Sequence, residues 1–533
     1  MNRSAVPRVL LLPFLVAVAC AQTPAPHAIF HVTLDPSMQQ AASGRLLIFM
    51  EPGSGATSVS ANEFQPSAVS IAAQEISNLA PGASVDIDVD TTAYPTPFSS
   101  LNADTYQAQA VLDVGHTYAY DGPEAGDLES SVVPMPRWTP GKGNQPTFVL
   151  NRVMDAPEPR KISLTPEALA AADKATTLAD FVSPSLTTFS KHETHIRGWV
   201  VLPPGYDKHP ALRYPTVYWT HGFGGKLDTI HPSALLMYNR MATGKMPPMI
   251  WVMLDESLPT GTHEFADSAN NGPWGTALTT EFLPWIEAKY RMDAKPSGRF
   301  LEGHSSGGWA TLQLQVNYPS IFGGTWSTAP DPSDFHDFIG IDLYAPHANV
   351  YHHADGTPYP IVRDHQKVIA TFEQLARQEA VLGAYGGQVA SFEWVFSPRG
   401  ADGHPMEMFD RKTGDVHPDV VAYWRDHYDL AHIVSANWPT RGTALKGKIH
   451  VVVGTADTFY LDGAAHKLEA VLKGLNADAH FTYRENRTHM DLYELGGDRQ
   501  AMMDAIAAQM YAVARPTAHW AAPASEAAIL RRQ

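Results

Sequence analysis

Two kinds of hydrophobic pattern divide this chain. From His27 to Val153 the apolar positions fall in short alternating or β-branched runs, among them Ala28–Leu34, Arg45–Met50 and Gln107–Asp113, separated by clusters of Gly, Pro, Ser and Asn. Alternation with a period of two and weak helical periodicity predict an antiparallel, sandwich-like all-β domain over 27–153. It holds no catalytic constellation, so it either buttresses the rest of the chain or binds a polymeric substrate. A linker over 154–180 follows, with a short Ala-rich helix between Pro157 and Thr177. Over 181–515 the pattern changes to longer apolar strands, such as Tyr214–Thr220, Lys448–Gly454 and Ala479–Arg484, mixed with helical stretches. That pattern predicts an α/β domain. Residues 516–533 read as a C-terminal tail. No internal repeat is apparent.

The chemistry concentrates where strands end. Gly303-His304-Ser305-Ser306-Gly307 has the Gly-x-Ser-x-Gly spacing of a nucleophile elbow, a strained strand-to-helix turn that needs small neighbours. Centring the pattern on Ser306 would put His304 where the first glycine belongs, so Ser305 is the expected nucleophile. The strand ending at Thr220 runs into His221-Gly222-Phe223-Gly224-Gly225, a loop suited to an oxyanion hole, with the backbone N–H groups of Phe223 and Ser306 as donors. A plain glycine turn is the alternative. After Gly454, Asp457 sits in the first turn past a late strand and is the expected acid. Asp462 competes, but it reads better as the start of a helix over Gly463–Leu475.

The chain has 24 histidines, so position must select among them. His450 and His480 fall within strands and His466 within a helix, whereas His489 occupies the loop after the last strand and is the expected general base. A serine hydroxyl is a weak nucleophile until an imidazole takes its proton, and an aspartate fixes the imidazole tautomer and stabilises its cation.

With these motifs in order, the region from about Phe181 to Tyr511 resembles the esterase D family of α/β-hydrolases, enterochelin-esterase-like. The further matching stretches are Arg197–Tyr206, Asn271–Trp274 and Glu281–Arg291. The resemblance implies a serine hydrolase acting on an ester, here a serine esterase working through an acyl-enzyme; no cofactor is expected, and no histidine or aspartate has the diagnostic spacing of a metal site. It does not name the ester, which is a small molecule or is linked to a polymer. An acyltransferase would use the same parts, and a non-catalytic binding protein on a hydrolase scaffold is the third reading.

Residues from about 330 to 445 exceed what a compact member needs. Asp364–Leu382 reads as a helix, and the insertion is expected to overhang the catalytic face and shape the pocket. Trp274 and Trp309 are candidate substrate-stacking residues. His192-Glu193-Thr194-His195 is one residue short of a zinc-binding His-Glu-x-x-His and reads as a surface loop.

Met1 to Ala21 carries Arg3 and Arg8 before an apolar stretch and Ala19-Cys20-Ala21, which predicts a secretory signal cleaved after Ala21 and a secreted or periplasmic enzyme. Lipidation at Cys20 is the weaker alternative. Cys20 is the only cysteine, so disulfides and a cysteine nucleophile are excluded from the mature chain. No stretch is long and apolar enough for a membrane span. A formal charge of −17 argues against nucleic acid as a partner.

Overall fold

The computed structural model describes residues 27–520, apart from 63, 119–121, 143–144, 157–159, 384–386 and 519. The expected signal segment, the Cys20 site and most of the C-terminal tail lie outside the described residues.

The alternating N-terminal runs form one continuous nine-stranded sheet spanning Ile29–Leu34 to Thr147–Val153. It is antiparallel except where Ile29–Leu34 lies parallel to Thr147–Val153. Period two gives the sheet two unlike faces. From the strand Ala42–Pro52, Leu46, Ile48 and Met50 join Phe30, Val32, Phe148 and Trp138 in one core. Leu47 and Phe49 point the other way and pack with Ile71, Val381 and Leu382. The sheet curls until its ends approach: Gln74, on the penultimate strand at one end, donates to the Asp86 carbonyl on the strand at the other end. The core is therefore sandwich-like, yet it is enclosed by a single hydrogen-bonded sheet.

The second sheet has eight strands: β1 (Thr176–Val182), β2 (His195–Val201), β3 (Thr216–Thr220), β4 (Ile250–Leu254), β5 (Arg299–His304), β6 (Gly324–Thr328), β7 (Ile449–Gly454) and β8 (Ala479–Arg484). Their spatial order is β1-β2-β4-β3-β5-β6-β7-β8. Only β2 runs antiparallel to its neighbours on both sides, and β3 to β8 are all parallel. Central strands such as β4 and β6 are buried along their whole length, because helices cover both faces of a parallel sheet. Helices α1 (Leu227–Ala242), α2 (Ser306–Asn317), α3 (Leu461–Gly474) and α4 (Ala501–Ala514) include this cover. This is the α/β-hydrolase architecture that the sequence resemblance implies. The carboxyl ends of β3 to β8 share one edge, so the loops after them meet there.

The insertion differs from expectation at its start. Asp364–Leu382 is not one helix: Pro360–Asp364 and Lys367–Thr371 pair as a hairpin, and the helix runs from Phe372 to Leu382. His365 turns the hairpin with φ +53°. Thr371 then caps the helix by accepting the Gln374 N–H while the Gln374 side chain accepts the Thr371 N–H. That reciprocal cap fixes the helix start after Val368 and Ile369, whose spacing alone resembled a helical face. The helix joins the two halves of the chain: Arg45 donates to the Val381 carbonyl at 3.0 and 2.9 Å, and Gln378 donates to that of Pro66.

Candidate active site

The elbow is built by close backbone approach. Ser305 has φ +60° and ψ −126°, a strained conformation for a residue with a side chain, between the end of β5 and the first turn of α2. Its N–H donates to the Thr328 carbonyl at 3.0 Å and its carbonyl accepts from Trp309. A Cβ on Gly303 would lie 2.2 Å from the Gly307 carbonyl oxygen, and one on Gly307 would lie 2.3 Å from that of His221. The glycines of the motif are thus required by space. Ser306 begins α2, so its N–H has no acceptor within the helix.

Gly222 faces the serine directly: a Cβ there would lie 2.9 Å from Ser305 Cβ. The loop is held by His221, which is buried; its Nδ1 donates to the Gly222 carbonyl and its Nε2 accepts the Glu256 N–H at 3.0 Å. Phe223 lines the same pocket as Ser305.

Asp457 and His489 meet at this edge. His489 Nδ1 lies 2.9 Å from Asp457 Oδ2, and both residues are buried. Burial pushes the Asp457 carboxyl up, but the imidazole and the Phe459 and Leu461 amides that it accepts outweigh this and hold it below the ordinary range. Asp462, the competitor, instead pairs with Arg363 at 2.8 Å on the first turn of α3. Its carboxyl is raised by burial. With Nδ1 committed to Asp457, His489 has Nε2 left for chemistry.

Ser305, His489, Gly222 and Phe223 line one cavity of about 570 Å³. The insertion contributes Ile361, Val362, Leu375 and Phe392 to its wall, which is how those residues shape the space around the serine. Trp274 and Trp309 take no part in it, contrary to expectation. Trp274 is stacked on buried His263 at 3.6 Å, and Trp309, on the inner face of α2, packs against Phe396 at 4.8 Å. Aromatic character near the elbow therefore marked core. His195 pairs with Asp180 and Glu193 at the edge of the sheet, and it opens β2 instead of lying in a loop.

Two pocket residues escaped the sequence reading. Asp331 follows β6 and is buried; Ser306 Oγ donates to its Oδ2 at 2.6 Å. Burial raises this carboxyl to about 6, offset in part by the hydroxyls of Ser306 and Ser305. Its signal was the short step Thr328-Ala329-Pro330-Asp331 past a strand, which is too common to select it. His304 lies with its ring 4.3 Å from that of His489, and burial, then the neighbouring His489, lower its pKa to about 3. It stands as a neutral spacer against the candidate base.

A strained serine after the fifth strand of a largely parallel sheet, with an Asp–His pair past the seventh and eighth, defines an α/β-hydrolase. The chain belongs to the family described as "Putative esterase", whose sequence model matches residues 190–504. It is similar to an esterase of Mycobacterium tuberculosis, 31% identical over 157 residues, covering 28% of this chain and 33% of that protein. An endo-1,4-beta-xylanase/feruloyl esterase of Xylanibacter ruminicola is 31% identical over 134 residues, covering 23% of this chain and 18% of that one. The chain thus spans about a third of the length of the first of these relatives. Among solved structures it is similar to a ferulic acid esterase (TM-score 0.40, 14% identity, 64% of this chain and 98% of that one). An S-formylglutathione hydrolase from Agrobacterium tumefaciens also matches (TM-score 0.35, 14% identity, 64% and 94%).

Proposed function

We propose that the protein is a serine esterase that cleaves a carboxylic ester through an acyl-enzyme. Ser305 Oγ attacks the ester carbonyl as His489 Nε2 takes its proton, and the carbonyl oxygen becomes an oxyanion facing the Phe223 and Ser306 N–H groups. Collapse of that adduct expels the alcohol, which leaves with the proton from His489. Water then repeats the sequence on the acyl-Ser305 ester, releasing the acid and restoring the serine. Asp457 holds the imidazole with its proton on Nδ1 and stabilises the cation formed in each half.

The observation that carries this reading is the buried Asp457–His489 bond of 2.9 Å opening onto the same cavity as the strained Ser305. The N-terminal pattern of Met1 to Ala21 extends the reading to an exported enzyme. Among the described residues no helix is long and apolar enough to cross a membrane.

A fluorophosphonate probe tests it. The wild-type chain is expected to take one label on the peptide bearing Ser305 and to hydrolyse 4-nitrophenyl hexanoate, and Ser305→Ala is expected to do neither. Absence of labelling in a folded wild-type sample would leave the non-catalytic scaffold. Transfer of the acyl group to an added alcohol in preference to water would make the protein an acyltransferase.

A further inference from the structure

Among the described residues, none from the N-terminal sheet lines the cavity that holds Ser305, yet this sheet meets two of the cavity's walls from behind. The connection between its strands Ala42–Pro52 and Ser70–Leu79 carries Phe64, Pro66 and Ser67. Gln378, buried on the insertion helix Phe372–Leu382, donates to the Pro66 carbonyl at 3.3 Å, and Gln374 of the same helix donates to Ser67 Oγ at 3.3 Å. Ser67 Oγ also bonds the Tyr94 hydroxyl, on the N-terminal sheet, at 3.1 Å. The connection is thereby pinned on both sides. Phe64 is half-buried there against the core of the catalytic domain, with its ring 6.4 Å from that of Phe459.

Phe459 stands two residues past Asp457 and lines the cavity. Its N–H donates to Asp457 Oδ1 at 2.9 Å, and its ring meets that of His489 edge to face, 5.0 Å between centres at 82°. The His304 ring packs on His489 at 4.3 Å. Asp457 binds a single nitrogen of the imidazole, so the rings of Phe459 and His304 limit how the base can turn about that bond. Among the described residues the aromatic neighbours of Phe459 are His489 and Phe64. A misplacement of about 1 Å in a catalytic group can cost on the order of 10² in rate.

Resting on the esterase reading above, we infer that Phe64 is a positioning residue: through Phe459 it holds the His489 imidazole in line with Ser305, so the N-terminal domain supports turnover instead of binding the ester.

The test uses the full chain and 4-nitrophenyl hexanoate. Phe64→Ala should lower kcat about 3- to 10-fold with KM within about twofold of wild type, and Phe64→Leu, which keeps apolar bulk behind Phe459, should restore most of the loss. In a Phe459→Ala background the same Phe64→Ala change should alter kcat by less than about twofold, because its path to His489 is already cut. Arg45→Ala breaks the contact of the N-terminal sheet with the Val381 carbonyl at the far end of the insertion helix. It should lower the melting temperature and leave kcat within about twofold. Phe64→Val replaces Phe64→Ala should the latter fail to fold. Unchanged kcat in Phe64→Ala, a rise in KM in place of the fall in kcat, or a full-sized effect in the Phe459→Ala background would overturn the inference and leave the esterase reading intact. So would an equal loss of kcat in Arg45→Ala, which would make the contact structural only. A folded wild type that leaves the ester intact would overturn the esterase reading, and this inference with it.

Discussion

Ser306 Oγ donates to Asp331 Oδ2 at 2.6 Å, so the residue beside the candidate nucleophile is tied to a buried carboxyl. The two adjacent serines therefore have different jobs. Ser305→Ala should lower kcat by on the order of 10⁶, as loss of a triad nucleophile does. Ser306→Ala keeps its backbone N–H and should retain most activity, but it strips a buried carboxyl of a donor. It should cost about 1–3 kcal/mol in stability. Ester hydrolysis and urea denaturation of both variants check this, and equal loss of turnover in the two would move the nucleophile.

Asp457→Asn should lower kcat by about 10⁴, the scale seen when a triad aspartate no longer fixes the imidazole tautomer. Asp462→Asn breaks an ion pair with Arg363 at the start of a helix and should leave kcat within a few-fold of wild type. Steady-state kinetics of the pair decide between the two acids, and the reverse ranking would assign the role to Asp462.

Gly222→Ala probes the oxyanion loop. The added Cβ would meet Ser305 Cβ at 2.9 Å and the His304 carbonyl oxygen at 3.0 Å, so either the loop or the serine must shift. Displacing one oxyanion donor costs on the order of 10²–10³ in kcat. The expected pattern is a fall in kcat of that size with KM little changed. Unaltered kcat would show that Phe223 N–H is not a donor.

Buried carboxyls in β5 and after β4 give stability a pH dependence. Burial raises Glu302 to about 8 against a small opposing effect from the Tyr493 hydroxyl, and burial likewise raises Glu256 to about 8. A carboxyl whose pKa is raised on folding adds stability that is complete below its ordinary value of 4.5 and is lost as pH rises through about 8. The melting temperature should therefore fall between pH 5 and pH 8.5. Glu302→Gln keeps an acceptor for Tyr493 and removes the titration, so it should flatten that fall. Thermal denaturation across this range is the check, and an undiminished fall in the variant would mean that Glu302 does not contribute.

Local spacing was enough to find the parts of this protein that depend on the backbone. The glycines around Ser305, the loop at Gly222 and the steps past β7 and β8 are read from sequence because a strained turn or a close approach admits few residue types at fixed offsets. The alternation in Phe30, Val32, Leu46 and Ile48 likewise reports which face of a strand is buried. Trp274 and Trp309 could not be assigned in this way, because a buried ring and a substrate-stacking ring have the same local pattern, and only packing against His263 and Phe396 separates them. The hairpin at 360–371 was hidden for a related reason: Val368 and Ile369 fit a helical face until strand pairing and the Thr371 cap fix the start of the helix. Asp331 at the pocket is decided by tertiary structure alone. Its significance lies in what stands near it, and residues far apart in the chain, such as Gly222, Ser305 and His489, line one cavity because the parallel strands deliver their loops to one edge.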